Sequence, residues 1–128
     1  MKIQVDFEGT KELNAKLKKI VAEYPKERDR FLKMEASLLT GRAKLLTPVD
    51  TGRLRNAWKR TAPVGGTVEV YNNTEYASYV ELGHRVKIHG KFTGGVVPGA
   101  HMLRDAVDES RMNFQVDAEK ILARLFGK

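Results

Sequence analysis

The sequence contains no cysteine and no long apolar segment. Without cysteine the chain has no disulfide, no thiolate nucleophile and no cysteine-based zinc site, and it suits assembly in a reducing cytoplasm. No stretch approaches the roughly 20 apolar residues that a membrane helix needs. The first residues also lack the apolar block of a secretory signal. We therefore expect an unprocessed, soluble protein with no membrane partner.

The patterns that would support catalysis are also missing. Ser37, Ser78 and Ser110 fall in predicted helices, and none of them lies in the Gly-x-Ser-x-Gly turn of a nucleophile elbow. His84 and His89 are spaced neither as a helical metal-binding pair nor as a structural zinc site. The glycine pairs lack the lysine and hydroxyl residue of a phosphate loop. We expect no catalytic residue, no cofactor and no metal site.

Positive charge is in excess, with 23 Lys and Arg against 16 Asp and Glu, giving a net charge of +7. Such an excess raises nucleic acid as a partner, because basic side chains gain affinity for phosphates by releasing counterions. Many of the basic residues alternate with acidic ones, as on a solvated helix surface. A basic nucleic-acid-binding module is the alternative function, and it would use Arg53, Arg55, Lys59, Arg60, Arg85, Lys87 and Lys91.

The length of 128 residues and the hydrophobic content of 41% predict one domain that spans residues 1–128. Alternation of Ile3, Val5 and Phe7 with polar residues predicts an N-terminal strand. Two further strands, Ala57–Ala62 and Thr67–Tyr71, flank a Gly-Gly turn and predict a β-hairpin. The strand and the hairpin are expected to form a small antiparallel sheet.

Four helices are predicted. The first covers residues 10–24, and the second runs from Lys26 to about Leu46, with Gly41 in its interior marking a close approach or a break. A short helix covers Glu75–Leu82, and a long one runs from about Ala100 to Phe126. The second helix needs cover on two sides because it carries two apolar rows. One row is Phe31, Met34, Leu38 and Leu45; the other is Leu32, Ala36, Leu39, Ala43 and Leu46. The fold class is therefore α+β, with the sheet packed against two N-terminal helices, a short helix and a long C-terminal helix.

The last helix gives a first argument for oligomerisation. At 1.5 Å per residue it is about 40 Å long, whereas a chain of this size has a radius of gyration of about 14 Å. Its apolar row is Leu103, Val107, Phe114, Ile121 and Leu125. One domain can hardly cover the whole row, so part of it should pack against a neighbouring subunit. The residues expected in that interface are Phe114, Ile121 and Leu125.

Residues 47–55 predict a rigid turn. Pro48 fixes its own φ, Asp50 can cap the turn, and Gly52 gives the backbone freedom before a strand. Thr51 and Arg53 are the other residues of this structural turn. We expect Arg53 to pair with an acidic group such as Glu81. The turn would then hold the central helix against the hairpin.

Residues 84–99 predict a flexible arm or hairpin. The segment is rich in glycine and too long for a simple connection in a compact domain. Val86 and Ile88 alternate with Arg85 and Lys87, which is a strand pattern that needs a partner, and no core contact is obvious for Phe92. We expect the arm to gain a strand partner from another protein. With the preceding helix it forms the expected interface, namely Tyr76, Tyr79, Glu81, Gly83, Arg85, Val86, Lys87, Ile88 and Phe92.

Two segments together carry a resemblance to a known family. The first is Pro48-Val49-Asp50-Thr51-Gly52-Arg53-Leu54, and the second is Tyr76-Ala77-Ser78-Tyr79-Val80-Glu81-Leu82-Gly83. In this order, followed by a long final helix, they resemble the tail-completion, or head-tail joining, minor structural proteins of long-tailed bacteriophages. That family tends to have Pro-Ala-Arg-Pro-Phe-Leu-Arg before the final helix, where this chain has residues 97–104 with a single proline.

The resemblance implies a non-enzymatic structural subunit of the virion neck. It implies an α+β fold that forms a ring, a hexamer, between head-proximal neck proteins and the tail tube or tail terminator. Double-stranded DNA would at most pass through the channel. The expected location is the virion, with assembly in the host cytoplasm.

Overall fold

A computed structural model describes residues 1–5, 23–49 and 51–126 of the chain. Its main sheet has three antiparallel strands in the order β1-β3-β2, where β1 is Lys2–Val5, β2 is Trp58–Arg60 and β3 is Val68–Asn72. The prediction of a small sheet made of an N-terminal strand and a hairpin is confirmed. Phe7, and most of the helix predicted over residues 10–24, lie outside the described residues.

The central strand β3 carries the inner face of this sheet. Val68 and Val70 are fully buried and pair with Val5 and Ile3 of β1. On its other edge, β3 pairs Asn72 with Trp58 of β2. Apolar residues recur at every second position of β3 because successive strand side chains point to opposite faces. The alternation in the sequence therefore marked the buried side correctly.

The helix α1 spans Pro25–Leu46 and begins at a proline, which has no amide hydrogen to leave unpaired there. One of its apolar rows faces the core, since Leu32, Ala36 and Ala43 have no exposed surface. The expected cover on the second side is only partial, because Phe31 of the other row is 3% exposed whereas Met34 is 48% exposed. The expected close approach at Gly41 is wrong, because the helix continues through it and a Cβ added there would meet no neighbouring atom within 4 Å.

Five further elements complete the described chain. The helix α2 is a single turn, Arg53–Asn56, where the sequence predicted the approach to a strand. The helix α3 is Ala77–Leu82, and it leads directly into a hairpin of β4, Gly83–Ile88, and β5, Lys91–Pro98. The long helix α4 covers Met102–Phe126. No helix in the described part of the chain combines the length and the apolar character that a membrane span requires.

The two long helices pack side by side in opposite directions. Arg124 near the end of α4 donates a 2.7 Å hydrogen bond to Glu27 at the start of α1. Further along, the rings of Phe31 and Phe114 meet edge to face with centroids 5.2 Å apart. Near the other end, Arg42 donates a 2.7 Å hydrogen bond to Ser110. An intramolecular neighbour of nearly the same length therefore lies along the helix that seemed too long for one domain.

A buried hydroxyl ties the end of α1 to the sheet. Thr47, just after α1, accepts a 2.8 Å hydrogen bond from the indole nitrogen of Trp58, and both side chains are buried. The same hydroxyl donates to the carbonyl of Ala43 and lies 3.4 Å from the sulfur of Met102 at the start of α4. One side chain thus connects α1, β2 and α4 within the core.

The interface between α1 and α4 also buries a carboxyl group. Glu35 is only 4% exposed, and its Oε1 has no hydrogen-bond partner. Burial, followed by the hydrogen bond to Asp117 and the negative charge of Asp117, raises the pKa of Glu35 from 4.5 to about 8, although Arg42 acts in the opposite direction. At neutral pH Glu35 is therefore largely protonated.

Because the pKa of Glu35 is higher in the folded state, the unfolded chain loses this proton first as pH rises. The free energy of unfolding should therefore fall between pH 4.5 and about pH 8, by up to about 1.4 kcal/mol per pH unit, and level off above that range. Denaturant titrations across this range should show the fall in the wild type and its absence in Glu35→Gln. Glu119→Gln, a change at an exposed site, should retain it. Parallel curves for wild type and Glu35→Gln would contradict the assignment.

Candidate functional site

The second motif and the start of α4 meet at the carboxylate of Glu81. This side chain is only 7% exposed, and its two oxygens accept hydrogen bonds of 2.8 and 3.0 Å from the backbone amides of Leu103 and Arg104. The first amides of a helix have no partner within the helix, and the helix dipole favours negative charge there. Glu81 therefore caps α4 from a position 22 residues earlier in the chain.

The root of the hairpin is closed by backbone contacts beside this cap. The amide of Ala100 donates to the carbonyl of Val80 at 2.7 Å, and that of His101 donates to the carbonyl of Glu81 at 3.1 Å. A Cβ added at Gly83 would collide with the backbone of β5, and one added at Gly99 would collide with the carbonyl of Glu81. Gly83 also has a φ of +83°, which glycine adopts readily. Only glycine allows the two chain segments to approach this closely.

Arg53 pairs with an acidic group as expected, but that group is not Glu81. Arg53 donates two hydrogen bonds, of 3.0 and 2.9 Å, to the carboxylate of Glu75, and its guanidinium lies 5.3 Å from the ring centre of Tyr76. The hydrogen bonds from Arg53 lower the pKa of Glu75. The predicted pair with Glu81 is wrong, because the buried Glu81 carboxylate is already engaged by the amides of α4.

The first motif forms the connection between α1 and α2. Pro48 and Thr51 are exposed, and the Thr51 hydroxyl accepts a 3.3 Å hydrogen bond from the amide of Arg53. Gly52 has a φ of +83°. The element that follows it is the helix α2, whereas the sequence predicted a strand there. Asp50 lies outside the described residues. Through Arg53 and Glu75 the turn reaches the segment that precedes α3.

The β4–β5 hairpin, which we call the arm, projects from this root. Every residue of β5 is exposed, and within the described structure the arm is a two-stranded sheet of its own. Ile88 is 57% exposed and Phe92 is 51% exposed. Single exposed apolar residues are common on proteins. An unpaired strand edge, in contrast, presents backbone groups with which another chain can pair.

A bulge and two cation–π contacts shape the arm. Between the pairs Arg85–Val96 and Lys87–Phe92, β4 has one residue and β5 has three. Two of the three are glycines, and such bulges bend and twist a strand. Arg85, before the bulge, lies 3.8 Å from the ring centre of Phe92, and Lys87, after the bulge, lies 4.6 Å from it. The basic side chains therefore cover part of the Phe92 ring.

The structure divides the other expected interface residues between surface and interior. Tyr79 is 61% exposed and meets the His84 ring edge to face at 6.0 Å, whereas Tyr76 is half-buried. On α4, Ile121 is only 8% exposed, and Phe114 and Leu125 pack against the core of their own chain. The apolar surface that α4 exposes belongs instead to other residues.

The seven basic residues proposed for nucleic-acid binding lie on several elements, and four of them have intramolecular contacts. Arg53 is paired with Glu75, and Arg60 donates to the Ser37 hydroxyl at 2.7 Å. Two others contact the arm aromatic, as described above. Among the described residues, no group of three or more His, Cys, Asp or Glu side chains is placed to hold a metal ion.

Comparison with known proteins identifies a family. The family model described as "Bacteriophage HK97-gp10, putative tail-component" matches residues 11–83, more than half of the chain. The matched segment includes both the first motif and the second motif up to Gly83. Neither the curated proteins nor the solved structures gave a match.

The cap at Glu81 gives a direct test of the site. Glu81→Ala should lower the free energy of unfolding by about 1–3 kcal/mol, because two partly buried amides lose a charged acceptor. The free energy of unfolding of Glu81→Gln should lie between those of the wild type and Glu81→Ala, since an amide group has one accepting oxygen. Glu75→Ala, which removes an exposed carboxylate, should change the melting temperature much less. Equal losses for Glu81→Ala and Glu75→Ala would show that the cap contributes no special stability.

Proposed function

This chain belongs to the HK97-gp10-like family of bacteriophage tail components, and we propose that it is a structural ring subunit at the junction of tail and head. The ring is a homo-oligomer, a hexamer, that contacts neck proteins on one side and tail-tube or tail-terminator proteins on the other. It is assembled in the host cytoplasm and remains in the virion. The role of the ring is structural and not enzymatic, and double-stranded DNA passes through its channel.

The observation that carries this proposal is the arm. Its two strands pair only with each other in the described structure, so each has an outer edge of free backbone groups. Ile88, Phe92 and Val96 add exposed apolar surface. Such an edge gains most by pairing with a strand of another protein, where main-chain hydrogen bonds give affinity and side chains give specificity. A ring supplies that partner to every copy.

The root explains why the arm can serve as a connector. Gly83 and Gly99 bring the two segments into backbone contact, and Glu81 joins the same point to α4. The arm therefore leaves the subunit in a direction set by the core. A fixed direction reduces the conformational entropy that binding would otherwise cost.

The charges of the arm favour a protein partner. Arg85 and Lys87 already contact the ring of Phe92, so their stems and heads lie against apolar surface. Strong binding of phosphates at a channel wall would also oppose the passage of DNA. We therefore assign the arm to a neighbouring protein subunit and not to the duplex.

Shortening the arm tests this function. Replacing residues 87–92 with Asn-Gly, a pair that forms a two-residue hairpin turn, removes the apolar tip and keeps the root. The purified variant should melt like the wild type, because the removed side chains are exposed. Phage that carry it should accumulate heads and tails that remain separate, which electron microscopy of lysates can count.

The matched control is Val64→Ser, which removes another exposed apolar side chain, on the β2–β3 connection. That variant should join heads to tails at the wild-type yield. If the shortened arm also gave a wild-type yield of complete particles, the arm would have no part in joining. A monomer that binds duplex DNA tightly at physiological salt and never forms rings would overturn the structural function itself.

A further inference from the structure

Beyond the arm, the two long helices present solvent faces of opposite charge. On α1, Met34, Leu38 and Leu45 lie within about 40° of one another at 100° per residue, and they are 48%, 44% and 87% exposed. The charged residues along one side of this stripe are Lys26, Arg30, Lys33 and Lys44. We call this surface the basic face.

The outer side of α4 has the opposite charge. Met112 is 75% exposed and Val116 44% exposed, and both point roughly 160° away from Phe114, which contacts α1. The charged residues beside them are mainly acidic, namely Asp105, Asp108, Glu109 and Glu119, with one basic residue, Lys120, a turn after Val116. This surface, the acidic face, has apolar residues between carboxylates, although the whole protein has a net charge of +7.

Local ion pairs account for only part of these charges. Asp105 pairs with Arg104 at 3.2 Å, and Asp108 lies 4.0 Å from Arg111. Both arginines belong to α4 itself. Glu109 and Glu119 are exposed. On α1, the contacts of Arg30 include Glu27 at 3.6 Å, and the Arg30 side chain is still 73% exposed. Each face therefore keeps charge for a partner of opposite sign.

The basic face also has a groove beside it. A cavity of about 270 Å³ opens between α1 and α4, and its apolar lining is Phe31, Met34 and Ile121. It lies next to the apolar stripe of α1, so an apolar side chain of a docked helix can enter it. The groove therefore adds a concave apolar site to the charge of the basic face.

We propose that the basic face of one subunit binds the acidic face of the next copy of this chain. The two faces are different surfaces, so the contact is heterologous, and repeating it around a rotation axis closes a ring. Apolar residues meet at the centre, and the complementary charges at the rim select the partner and its orientation. This inference rests on the proposed ring and names the helices that form it.

Charge reversal tests the contact. Lys33→Glu with Lys44→Glu reverses the basic face, and Glu109→Lys with Glu119→Lys reverses the acidic face. Either pair alone should weaken self-association by at least about tenfold at low salt, because like charges then meet across the interface. All four changes together should restore association. Sedimentation velocity measures the assembly, and circular dichroism checks that each variant is folded.

Cross-linking gives a second readout that the cysteine-free chain allows. Leu38→Cys and Val116→Cys each place one thiol on one face. With a short bis-maleimide, a mixture of the two proteins should give covalent dimers, and neither protein alone should. Dimers from Leu38→Cys alone would show a symmetric contact and overturn the proposal.

The outcomes separate this inference from the proposed function. If wild-type rings form and single-face reversal leaves them intact, or the combined reversal fails to restore them, the helix contact is wrong while the ring stands. If the wild type remains monomeric at every concentration and salt, both fail. Loss in each single-face variant and recovery in the combined one support the contact.

Discussion

The arrangement of this subunit depends on one buried carboxylate at the start of a helix. Glu81 accepts from the amides of Leu103 and Arg104, which have no partner within α4. The same residue lies near the end of the short helix from which the arm departs, and its own carbonyl receives the amide of His101. The direction of the arm and the position of the longest helix are therefore set at one point.

Local patterns predicted the elements well, because periodicity and turn residues act over a few positions. The strand at Ile3, the β2–β3 hairpin and the two long helices were all recognisable in this way. The capping role of Glu81 was not recognisable in this way, since donor and acceptor are 22 residues apart and no local spacing indicates the contact. For the same reason Arg53 was given the wrong acidic partner, when Glu75 was the nearer in sequence.

Long-range packing also decided which apolar rows are buried. The length of α4 suggested that Ile121 would face a neighbour, yet α1 runs antiparallel to it and Ile121 is buried within the chain. Residues that break the expected row, such as Met112 and Val116, are exposed instead. A sequence pattern gives the apolar sides of a helix, whereas tertiary structure decides which side meets its own core. Among the described residues, the arm and the outer sides of the two long helices keep apolar side chains exposed.

The most direct measurement of the proposed role is a cryo-electron microscopy reconstruction of the virion where tail and head meet. A closed ring of this fold should appear there, with each arm in contact with a protein neighbour and the duplex in the central channel. The chain should also be present in purified particles at the copy number of that ring. Particles that are complete yet lack the chain, or density for it only as single copies away from the junction, would contradict a ring subunit that joins tail to head.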